Sequence, residues 1–471
     1  MTKNGLPESD QLRVYDNILG TIGHTPLVRL AKLGRSLPVP LYAKVEFFNP
    51  GGSVKDRIGV TIIDAAERQG RLKAGGTVVE ATSGNTGVGL AIVAAIRGYK
   101  CIFVMPDKMS QEKIQLLRAF GAKVVITPTA VAPEDPRSYY RMAERIAAET
   151  PNTILADQYR NPENPRSHYL TTGPEIWEQT GGKVTDVIIG MGTGGTYSGI
   201  GKYLKEKNPK IRIIGVDVVG SILKEIWQNK GLIPAGVEAI TYKVEGIGED
   251  FLPVTSDLSQ VDEIVRVGDK ESFHWTRRLV AEEGIFAGGS SGSAVAGALQ
   301  VCQTLKGDRL AVVLLPDSGS RYLSKVYDDK WMRENGFLES EWGEATLREV
   351  LGAKSINELI AASADDRISD VVAKMKQYGI SQLPATNGAD DILGLVREGD
   401  LLTFLLESKQ ERPGEQPIRA LLQPAPPSLP AHAPLADAMP EIVKHNAVLV
   451  TDAGRVVGIL TKIDVLDFIQ R

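Results

Sequence analysis

Short apolar runs alternate with longer amphipathic stretches over the first two-thirds of the chain. Six of the runs are predicted to be buried strands, at 76–80, 100–105, 122–127, 186–190, 212–216 and 310–315. Each is followed by a turn containing Gly or Pro and then by a helical pattern, as at 88–97 and 197–205, and a further helix is predicted at 54–69. This rhythm is typical of an α/β fold around a mostly parallel sheet. Because such sheets bind ligands beyond the carboxyl ends of their strands, the Gly-rich turns are the places to search for a site.

The last third of the chain contains an internal repeat. Two segments each predict helix, strand, turn, strand, helix, and their equivalent glycines are Gly394 and Gly458. A charged and aromatic stretch at 330–343 predicts a linker or connecting helix before the repeat, and the Pro-rich stretch 423–434 predicts extended chain between the copies. We therefore expect a large two-lobed domain at 1–345 and two small domains at 346–408 and 409–471.

The composition of the chain excludes several classes of protein. The 471 residues include 54 Lys and Arg against 58 Asp and Glu, a net charge of −4, which argues against a nucleic-acid binder relying on positive potential. The two cysteines, Cys101 and Cys302, exclude a disulfide scaffold and a thiolate zinc site, and we expect no metal. The polar N-terminus does not resemble a secretory signal, and no apolar run is long enough to span a bilayer. We expect a cytoplasmic enzyme that acts on small molecules.

A first candidate group lies in the turn at 49–55, which places Lys55 at the start of a predicted helix. Burial and the positive end of the helix dipole both favour an uncharged amine there. A neutral lysine is a nucleophile that forms Schiff bases with aldehydes. The alternative is a surface lysine at a helix start.

Two further turns predict anion sites. The polar residues at 82–87 lie between a strand and an apolar helix, where hydroxyl and backbone N–H groups suit a carboxylate, although ordinary helix capping is the alternative. The loop 192–196 suits a phosphate. Gly190, Gly192 and Gly195 also satisfy the dinucleotide pattern G-x-G-x-x-G, with Asp217 at the end of a later strand. We favour a cofactor phosphate, because a dinucleotide site would leave the upstream turns without a role.

Together with Ser318 in the turn after the last predicted strand, these motifs resemble the fold-type II enzymes that depend on pyridoxal 5′-phosphate. Within that group the chain is most similar to the cystathionine β-synthase family. The segments 157–169, 244–248 and 329–332 carry this resemblance, and so does the C-terminal repeat, which resembles a pair of CBS domains. The expected fold is α/β, tryptophan synthase β-like, with two three-layer lobes and a C-terminal CBS pair.

The resemblance implies a role for each motif. Lys55 would be the catalytic residue and would hold the cofactor as an internal aldimine, Asn85 would bind the phenolic oxygen of the cofactor, and Ser318 the pyridine nitrogen. The cofactor phosphate would be held by Gly192, Thr193, Gly194, Gly195 and Thr196. The substrate carboxylate would be bound by Thr82, Ser83, Thr86 and Gln158, with Tyr159 and Gly246 lining the substrate side.

The implied reaction condenses L-serine with L-homocysteine to L-cystathionine and water, through an aminoacrylate. The alternative is a cysteine synthase that uses O-acetylserine or serine with sulfide, and a rival of another class is an adenine-nucleotide sensor. Where the animal enzymes have a tyrosine after Gly-Ile-Gly, this chain has Glu249, which leaves the first substrate open.

The remaining expectations concern ligands and assembly. The haem-binding extension of the animal enzymes has no counterpart, so we expect no haem. Thr461 and Asp464 match a Thr-x-x-Asp pattern that would hold an adenosyl ligand, S-adenosylmethionine or AMP or ATP, whereas the first copy has Arg397 in place of the threonine. A purely structural role for the repeat is the alternative. The family also implies a homodimer or higher homo-oligomer.

Overall fold

The computed structural model of the chain describes residues 14–82, 84–107, 109, 111–128, 131, 135–338, 345–354, 359–387 and 391–470. The chain divides into two compact units, residues 1–338 and 339–471. The predicted linker is partly helical, since a short helix covers Asp329–Glu334. Its last residues, from 339 on, lie outside the described residues. The predicted domain bounds at 345 and 408 stay predictions.

The first unit alternates strands and helices as the apolar pattern predicts. Its strands are β1 (Leu27–Arg29), β2 (Leu41–Val45), β3 (Thr77–Ala81), β4 (Lys100–Pro106), β5 (Lys123–Thr127), β6 (Thr153–Leu155), β7 (Asp186–Gly190), β8 (Arg212–Val218), β9 (Glu263–Val267) and β10 (Ala311–Leu315). Its helices are α1 (Lys55–Arg68), α2 (Asn85–Arg97), α3 (Gln111–Ala119), α4 (Tyr139–Glu149), α5 (Glu163–Leu170), α6 (Thr172–Gln179), α7 (Gly195–Lys207), α8 (Leu223–Gln228), α9 (Asp269–Glu283), α10 (Gly289–Thr304) and α11 (Asp329–Glu334). Short 3-10 helices cover Ile18–Thr21, Glu46–Phe48, Leu258–Gln260 and Gly319–Arg321.

Two sheets divide this unit into lobes. One sheet has six strands in the order β1-β2-β10-β7-β8-β9, parallel except for the edge strand β1. The other has four parallel strands in the order β5-β4-β3-β6. Strands such as β3 and β10 are buried along their whole length, because helices cover both faces of a parallel sheet. The two-lobed α/β fold expected from the sequence is confirmed.

Helices α2 and α7 begin two or three residues before the predicted starts. Gly84 and Gly194 precede them with φ of 141° and 94°, backbone conformations that favour glycine. Because these conformations are not helical, each helix begins at the residue directly after its glycine, at Asn85 and at Gly195. As a consequence Asn85, Thr86 and Thr196 lie in first helical turns, where backbone N–H groups are unsatisfied within the helix.

The second unit contains two three-stranded sheets of the same topology, one from each copy of the repeat. The first copy comprises β11 (Ala362–Ser363), α13 (Ile368–Tyr378), β12 (Gln382–Thr386), β13 (Ile392–Arg397) and α14 (Glu398–Glu407). The second comprises β14 (Ser428–Pro430), α15 (Leu435–His445), β15 (Ala447–Asp452), β16 (Arg455–Thr461) and α16 (Lys462–Ile469). Helix α12 (Leu347–Gly352) precedes them, and 3-10 helices cover Pro413–Glu415 and Ile418–Leu421.

The Pro-rich stretch 423–434 is not wholly extended chain, because β14 lies within it and pairs with β15 in parallel. Each copy thus adds a short parallel strand that the repeat pattern did not predict. In the part of the chain that the structure describes, no helix combines the length and apolar character needed to cross a bilayer. The same residues include no group of three or more side chains suited to a metal ion.

Candidate active site

Three of the predicted cofactor loops follow three neighbouring strands of the six-stranded sheet. The turn with Lys55 comes after β2, the loop with Thr193 after β7 and the turn with Ser318 after β10. In the sheet order, β10 lies between β2 and β7, and all three strands are parallel. Their carboxyl ends therefore meet at one edge, where open α/β sheets bind ligands.

Lys55 is the first residue of α1, and its amine lies next to the loop 192–196, which is called the phosphate-type loop from here on. The distance from Lys55 Nζ to Thr193 Oγ1 is 3.5 Å, although 138 residues separate them in the chain. Burial lowers the pKa of Lys55 from 10.5 to about 8, against the opposing effect of the Glu249 and Asp317 carboxylates. A large fraction of the amine is neutral near pH 8, as Schiff-base chemistry requires.

The loop 192–196 has the shape of an anion cradle. It ends at the N-terminus of α7, which carries no side-chain cap, so the first N–H groups of the helix are free for a ligand. A Cβ atom at Gly194 would collide with Ser256, and one at Gly195 with the Asn164 carboxamide. Glycine is therefore required for this close approach. These residues fit the phosphate of pyridoxal phosphate.

The threonines of this loop are held by neighbouring side chains. Thr193 Oγ1 accepts a hydrogen bond from Asn164 Nδ2 at 3.2 Å, and Thr196 Oγ1 lies 3.3 Å from His168 Nε2. Burial lowers the pKa of His168 well below its ordinary value, with Lys55 acting in the same direction. His168 is therefore neutral, and the loop offers hydrogen-bond donors rather than a full charge.

The dinucleotide alternative finds no support in the position of Asp217. Its Oδ2 accepts a hydrogen bond from the backbone N–H of Lys224 at 3.0 Å and lies 3.4 Å from Arg266 Nη2. The carboxylate is thus committed to the start of α8 and to an ion pair, instead of being available for a ribose. The loop 192–196 is better explained as a phosphate site without a nucleoside.

Asn85 contacts a buried acid that sequence reasoning missed and that directly precedes Ser318 in the chain. Asn85 Nδ2 donates to Asp317 Oδ2 at 2.9 Å, and the Tyr322 hydroxyl donates to the same oxygen at 2.6 Å. The other oxygen, Asp317 Oδ1, is buried without a partner. The Ser318 hydroxyl, which is neutral as in any serine, accepts a hydrogen bond from Ser320 N at 3.3 Å and donates one to Ser320 Oγ at 3.1 Å. A cofactor ring nitrogen bound at Ser318 would thus contact a neutral hydroxyl group, and the preceding residue, Asp317, carries a carboxyl group.

The turns that carry Lys55 and Ser318 are joined through their backbones. Ser53 and Asp317 form an isolated antiparallel bridge, and Val54 N donates to Pro316 O at 2.8 Å. Ser318 N donates to Gly52 O at 3.1 Å. The position of Lys55 is consequently fixed against the end of β10.

Of the predicted substrate residues, Thr86 and Gln158 are in direct contact. Thr86 Oγ1 donates to Gln158 Oε1 at 2.6 Å, linking the start of α2 to the loop before α5. Thr82 Oγ1 accepts from Gly84 N and Gly87 N at 3.1 and 3.3 Å, so it binds an N–H group in the first turn of α2, although the N-cap residue is Gly84 and supplies no side-chain cap. Ser83 lies outside the described residues.

Tyr159 and Gly246 lie near the other side of the phosphate-type loop. The backbone carbonyls of Tyr159 and Thr193 both accept a hydrogen bond from Thr255 Oγ1, at 3.1 Å for Tyr159. A Cβ atom at Gly192 would come within 2.8 Å of Gly246 O. The proposed cofactor and substrate residues therefore share one region of the first unit.

Three residues that support this region were not predicted. Asn164, Thr255 and Asp317 are buried and join loops that are distant in the chain. Asn164 belongs to the segment 157–169 that carried the family resemblance, and Asp317 precedes the predicted Ser318. The sequence signal for them was therefore present, but only tertiary contacts reveal the role.

In the second unit, the residues predicted for an adenosyl ligand are engaged with each other and with a lysine. Thr461 and Asp464 form a capping box at the start of α16, with Thr461 Oγ1 donating to Asp464 Oδ2 at 2.6 Å. Lys354 Nζ lies 3.0 Å from Asp464 Oδ1 and donates to Ile459 O at 2.9 Å. A ligand that uses Asp464 must therefore compete with Lys354.

The equivalent position in the first copy is arranged differently. A cavity of about 360 Å³ lies there, lined by residues that include Arg397, Glu398 and Gly399. Two buried side-chain atoms of this copy, Arg397 Nε and Asp400 Oδ2, have no hydrogen-bond partner. The two copies therefore differ in their free polar groups, although their folds are the same.

Comparison with known proteins identifies both units. The family described as pyridoxal-phosphate dependent enzyme matches residues 18–317, and the CBS domain family matches 348–407 and 418–471. Among solved structures, an O-ureido-L-serine synthase is 36% identical with a TM-score of 0.61, covering 68% of this chain and 99% of its own. A hydrogen sulfide-producing enzyme from Fusobacterium nucleatum is 36% identical with a TM-score of 0.60, covering 66% and 100%.

Curated relatives extend the match over both units. The cystathionine beta-synthase of Dictyostelium discoideum is 40% identical over 97% of this chain and 93% of its own length. That of Oryctolagus cuniculus is 44% identical over 87% and 74%, and that of Saccharomyces cerevisiae 39% over 83% and 81%. The resemblance inferred from the motifs is confirmed: this chain belongs to the cystathionine beta-synthase family of pyridoxal-phosphate-dependent enzymes.

Proposed function

We propose that the enzyme condenses L-serine with L-homocysteine to give L-cystathionine and water. The observation that carries this proposal is the 40% identity over 97% of the chain to a cystathionine beta-synthase, combined with the geometry around Lys55. The alternative of a cysteine synthase is not favoured, because the curated relatives described above carry the other name.

We assign the cofactor to residues of the six-stranded lobe and of α2. Lys55 would bind its aldehyde carbon, the loop 192–196 its phosphate, Ser318 its ring nitrogen and Asn85 its phenolic oxygen. When bound, pyridoxal phosphate supplies an electron sink for the pair released when an amino acid loses its α-proton. The protein contributes binding, orientation and proton transfer.

Lys55 is the proton carrier in this proposal. Its pKa of about 8 allows the amine to take the α-proton of serine and to give a proton to the departing hydroxyl group. Thr82, Ser83, Thr86 and Gln158 would bind the substrate carboxylate, with Tyr159 and Gly246 lining the substrate side. The neutral Ser318 hydroxyl places no full charge at the ring nitrogen, which favours elimination over transamination.

Product analysis tests the proposal. Mass spectrometry of serine plus homocysteine is expected to show cystathionine, at a rate above that of O-acetylserine plus sulfide. Lys55→Ala is expected to lose the visible cofactor band and turnover while keeping the far-ultraviolet circular dichroism of the parent. Cysteine as the main product, or full activity of Lys55→Ala, would contradict the assignment.

We also propose that the second CBS copy binds an adenosyl ligand at Thr461 and Asp464, with Lys354 displaced. The CBS match supports this, and a ribose diol that uses the Asp464 carboxylate would replace its contact with Lys354. Calorimetric titration with S-adenosylmethionine, AMP and ATP tests it. No heat with any of the three would favour a structural role for the pair.

The remaining expectations are proposals of the same kind. We propose that the enzyme is at least a homodimer, is cytoplasmic and carries no haem. Sedimentation velocity measures the oligomeric state, fractionation of cells the location, and the visible spectrum of the purified protein the haem content. A monomer, a membrane-associated fraction or a haem absorption band would each overturn the corresponding expectation.

A further inference from the structure

The carboxyl group of Asp317 joins the two lobes beside the proposed cofactor residues. Asp317 follows β10 of the six-stranded sheet, whereas Asn85 is the first residue of α2, which follows β3 of the four-stranded sheet. Asn85 Nδ2 donates to Asp317 Oδ2 at 2.9 Å, across 232 residues of the chain. Among the residues that the structure describes, Asp317 is the only hydrogen-bond partner of the Asn85 carboxamide. The orientation of this carboxamide therefore depends on Asp317.

Asp317 is itself held from several directions. The residue is 1% exposed, and the Tyr322 hydroxyl donates to its Oδ2 at 2.6 Å. The backbone carbonyl of Asp317 accepts a hydrogen bond from Gly288 N at 3.0 Å. A Cβ atom at Gly288 would lie 2.2 Å from Asp317 Oδ1, so the carboxyl group packs directly against this glycine. Asp317 Oδ2 is thus presented to Asn85 from a rigid support.

The chemistry of the two groups decides which end of the carboxamide meets Asp317. A carboxamide has one acceptor oxygen and an NH2 group with two N–H donors, whereas a carboxylate oxygen only accepts. The reversed carboxamide would bring two acceptor oxygens together. Asp317 Oδ2 accepts from Asn85 and Tyr322 also when Oδ1 carries a proton, so the arrangement does not require a charged acid. One N–H group of Asn85 is used by Asp317, and the second is left for another acceptor.

We propose that Asp317 is a positioning residue that orients the Asn85 carboxamide, so that its second N–H group donates to the phenolic oxygen of pyridoxal phosphate. This inference rests on the proposed function, which assigns Asn85 to that oxygen. Asp317 acts through Asn85 and takes no part in breaking or forming covalent bonds. An N–H donor stabilises the ionised phenolic oxygen. Loss of the orientation therefore shifts the bound cofactor from its form that absorbs visible light toward the neutral form that absorbs in the near ultraviolet.

The test measures the absorbance spectrum of the resting holoenzyme and the affinity of the apoenzyme for pyridoxal phosphate. Asp317→Ala is expected to lower the ratio of visible to near-ultraviolet absorbance and to weaken the affinity by about three- to tenfold, the effect of one hydrogen bond. Asp186→Ala is the matched control, because Asp186 is also buried but begins β7, at the opposite end of that strand from the phosphate-type loop. The control is expected to lower the melting temperature and to keep the affinity within about twofold of the parent.

A double-mutant cycle with Asn85→Ala separates positioning from general support of the site. In the Asn85→Ala background, Asp317→Ala is expected to change neither the spectrum nor the affinity further, because no carboxamide is left to orient. Asp317→Asn keeps an acceptor oxygen in a side chain of the same shape, and it should recover most of the parent's absorbance ratio. If Asp317→Ala does not fold, Asp317→Leu takes its place, since leucine keeps the volume without the acceptor.

Three results would overturn the inference. Additive losses in the cycle would mean that Asp317 acts through another group, such as Ser318. An Asp317→Asn variant that melts like the parent but loses as much as Asp317→Ala would mean that the acceptor oxygen is not what matters. An Asn85→Ala variant with the spectrum and affinity of the parent would refute the assignment of Asn85 under the proposed function, and this inference with it. That failure is distinguishable, because it is measured with Asp317 intact.

Discussion

The lowered pKa of Lys55 predicts how the rate of cofactor uptake depends on pH. Only the neutral amine attacks the aldehyde of pyridoxal phosphate. With a pKa of about 8 instead of 10.5, half of Lys55 is neutral at pH 8. An ordinary lysine would be roughly 0.3% neutral at that pH, so burial increases the reactive fraction by roughly 150-fold.

The assay mixes apoenzyme with pyridoxal phosphate across a pH series and follows the absorbance of the bound cofactor. The rate is expected to rise with a midpoint near pH 8 and then to level off. N-α-acetyllysine is the control, and its rate should keep rising toward the ordinary lysine pKa. A protein rate that climbs through pH 10 without levelling would refute the reasoning, because burial would then not control the amine.

A substitution checks the sign of the effect. Glu249 and Asp317 raise the pKa of Lys55, so removal of one negative charge must lower it further. Glu249→Gln is therefore expected to move the midpoint below that of the parent, while Asp250→Asn, at an exposed neighbour, moves it less. A midpoint that moves upward in Glu249→Gln would contradict the electrostatic account.

Three further predictions concern other parts of the fold. Gly195→Ala is expected to weaken cofactor affinity at least about tenfold in a fluorescence titration, since its Cβ atom meets Asn164, whereas Gly268→Ala, in open space, should not. Lys354→Met should tighten adenosyl-ligand binding by calorimetry, because Asp464 loses its lysine partner; weaker binding would contradict this. Burial raises the pKa of Glu80 to about 8, so the stability that this group contributes is present below pH 4.5 and is lost as pH rises through 8. Glu80→Gln should therefore reduce the decline of the unfolding free energy over this pH range, as measured by urea unfolding. An unchanged decline in the variant would contradict this prediction.

Strands β10 and β2 show why one strand could be predicted from the sequence and another could not. Strands such as β10 are uninterrupted apolar runs, because both faces are covered. Strand β2 was missed because Lys44 interrupts its apolar pattern. Lys44 is nevertheless buried, paired with Glu175 at 2.6 Å and bonded to Thr25 O at 2.7 Å. The partner lies 131 residues away, so no local pattern could reveal that this lysine belongs to a strand.

The same distinction explains which parts of the site were predictable. The loops at 49–55, 82–87 and 192–196 are local motifs, and their glycines and hydroxyls can be recognised without a fold. The sheet order β2-β10-β7 is not local, and it brings the first and last of these loops to the same edge as Ser318. The relation between Lys55 and Glu249 depends on that order and on contacts such as Gly248 N to Met191 O. From the sequence, Glu249 was therefore visible as a departure from the animal enzymes, and its effect on the pKa of Lys55 could be recognised only in the assembled sheet.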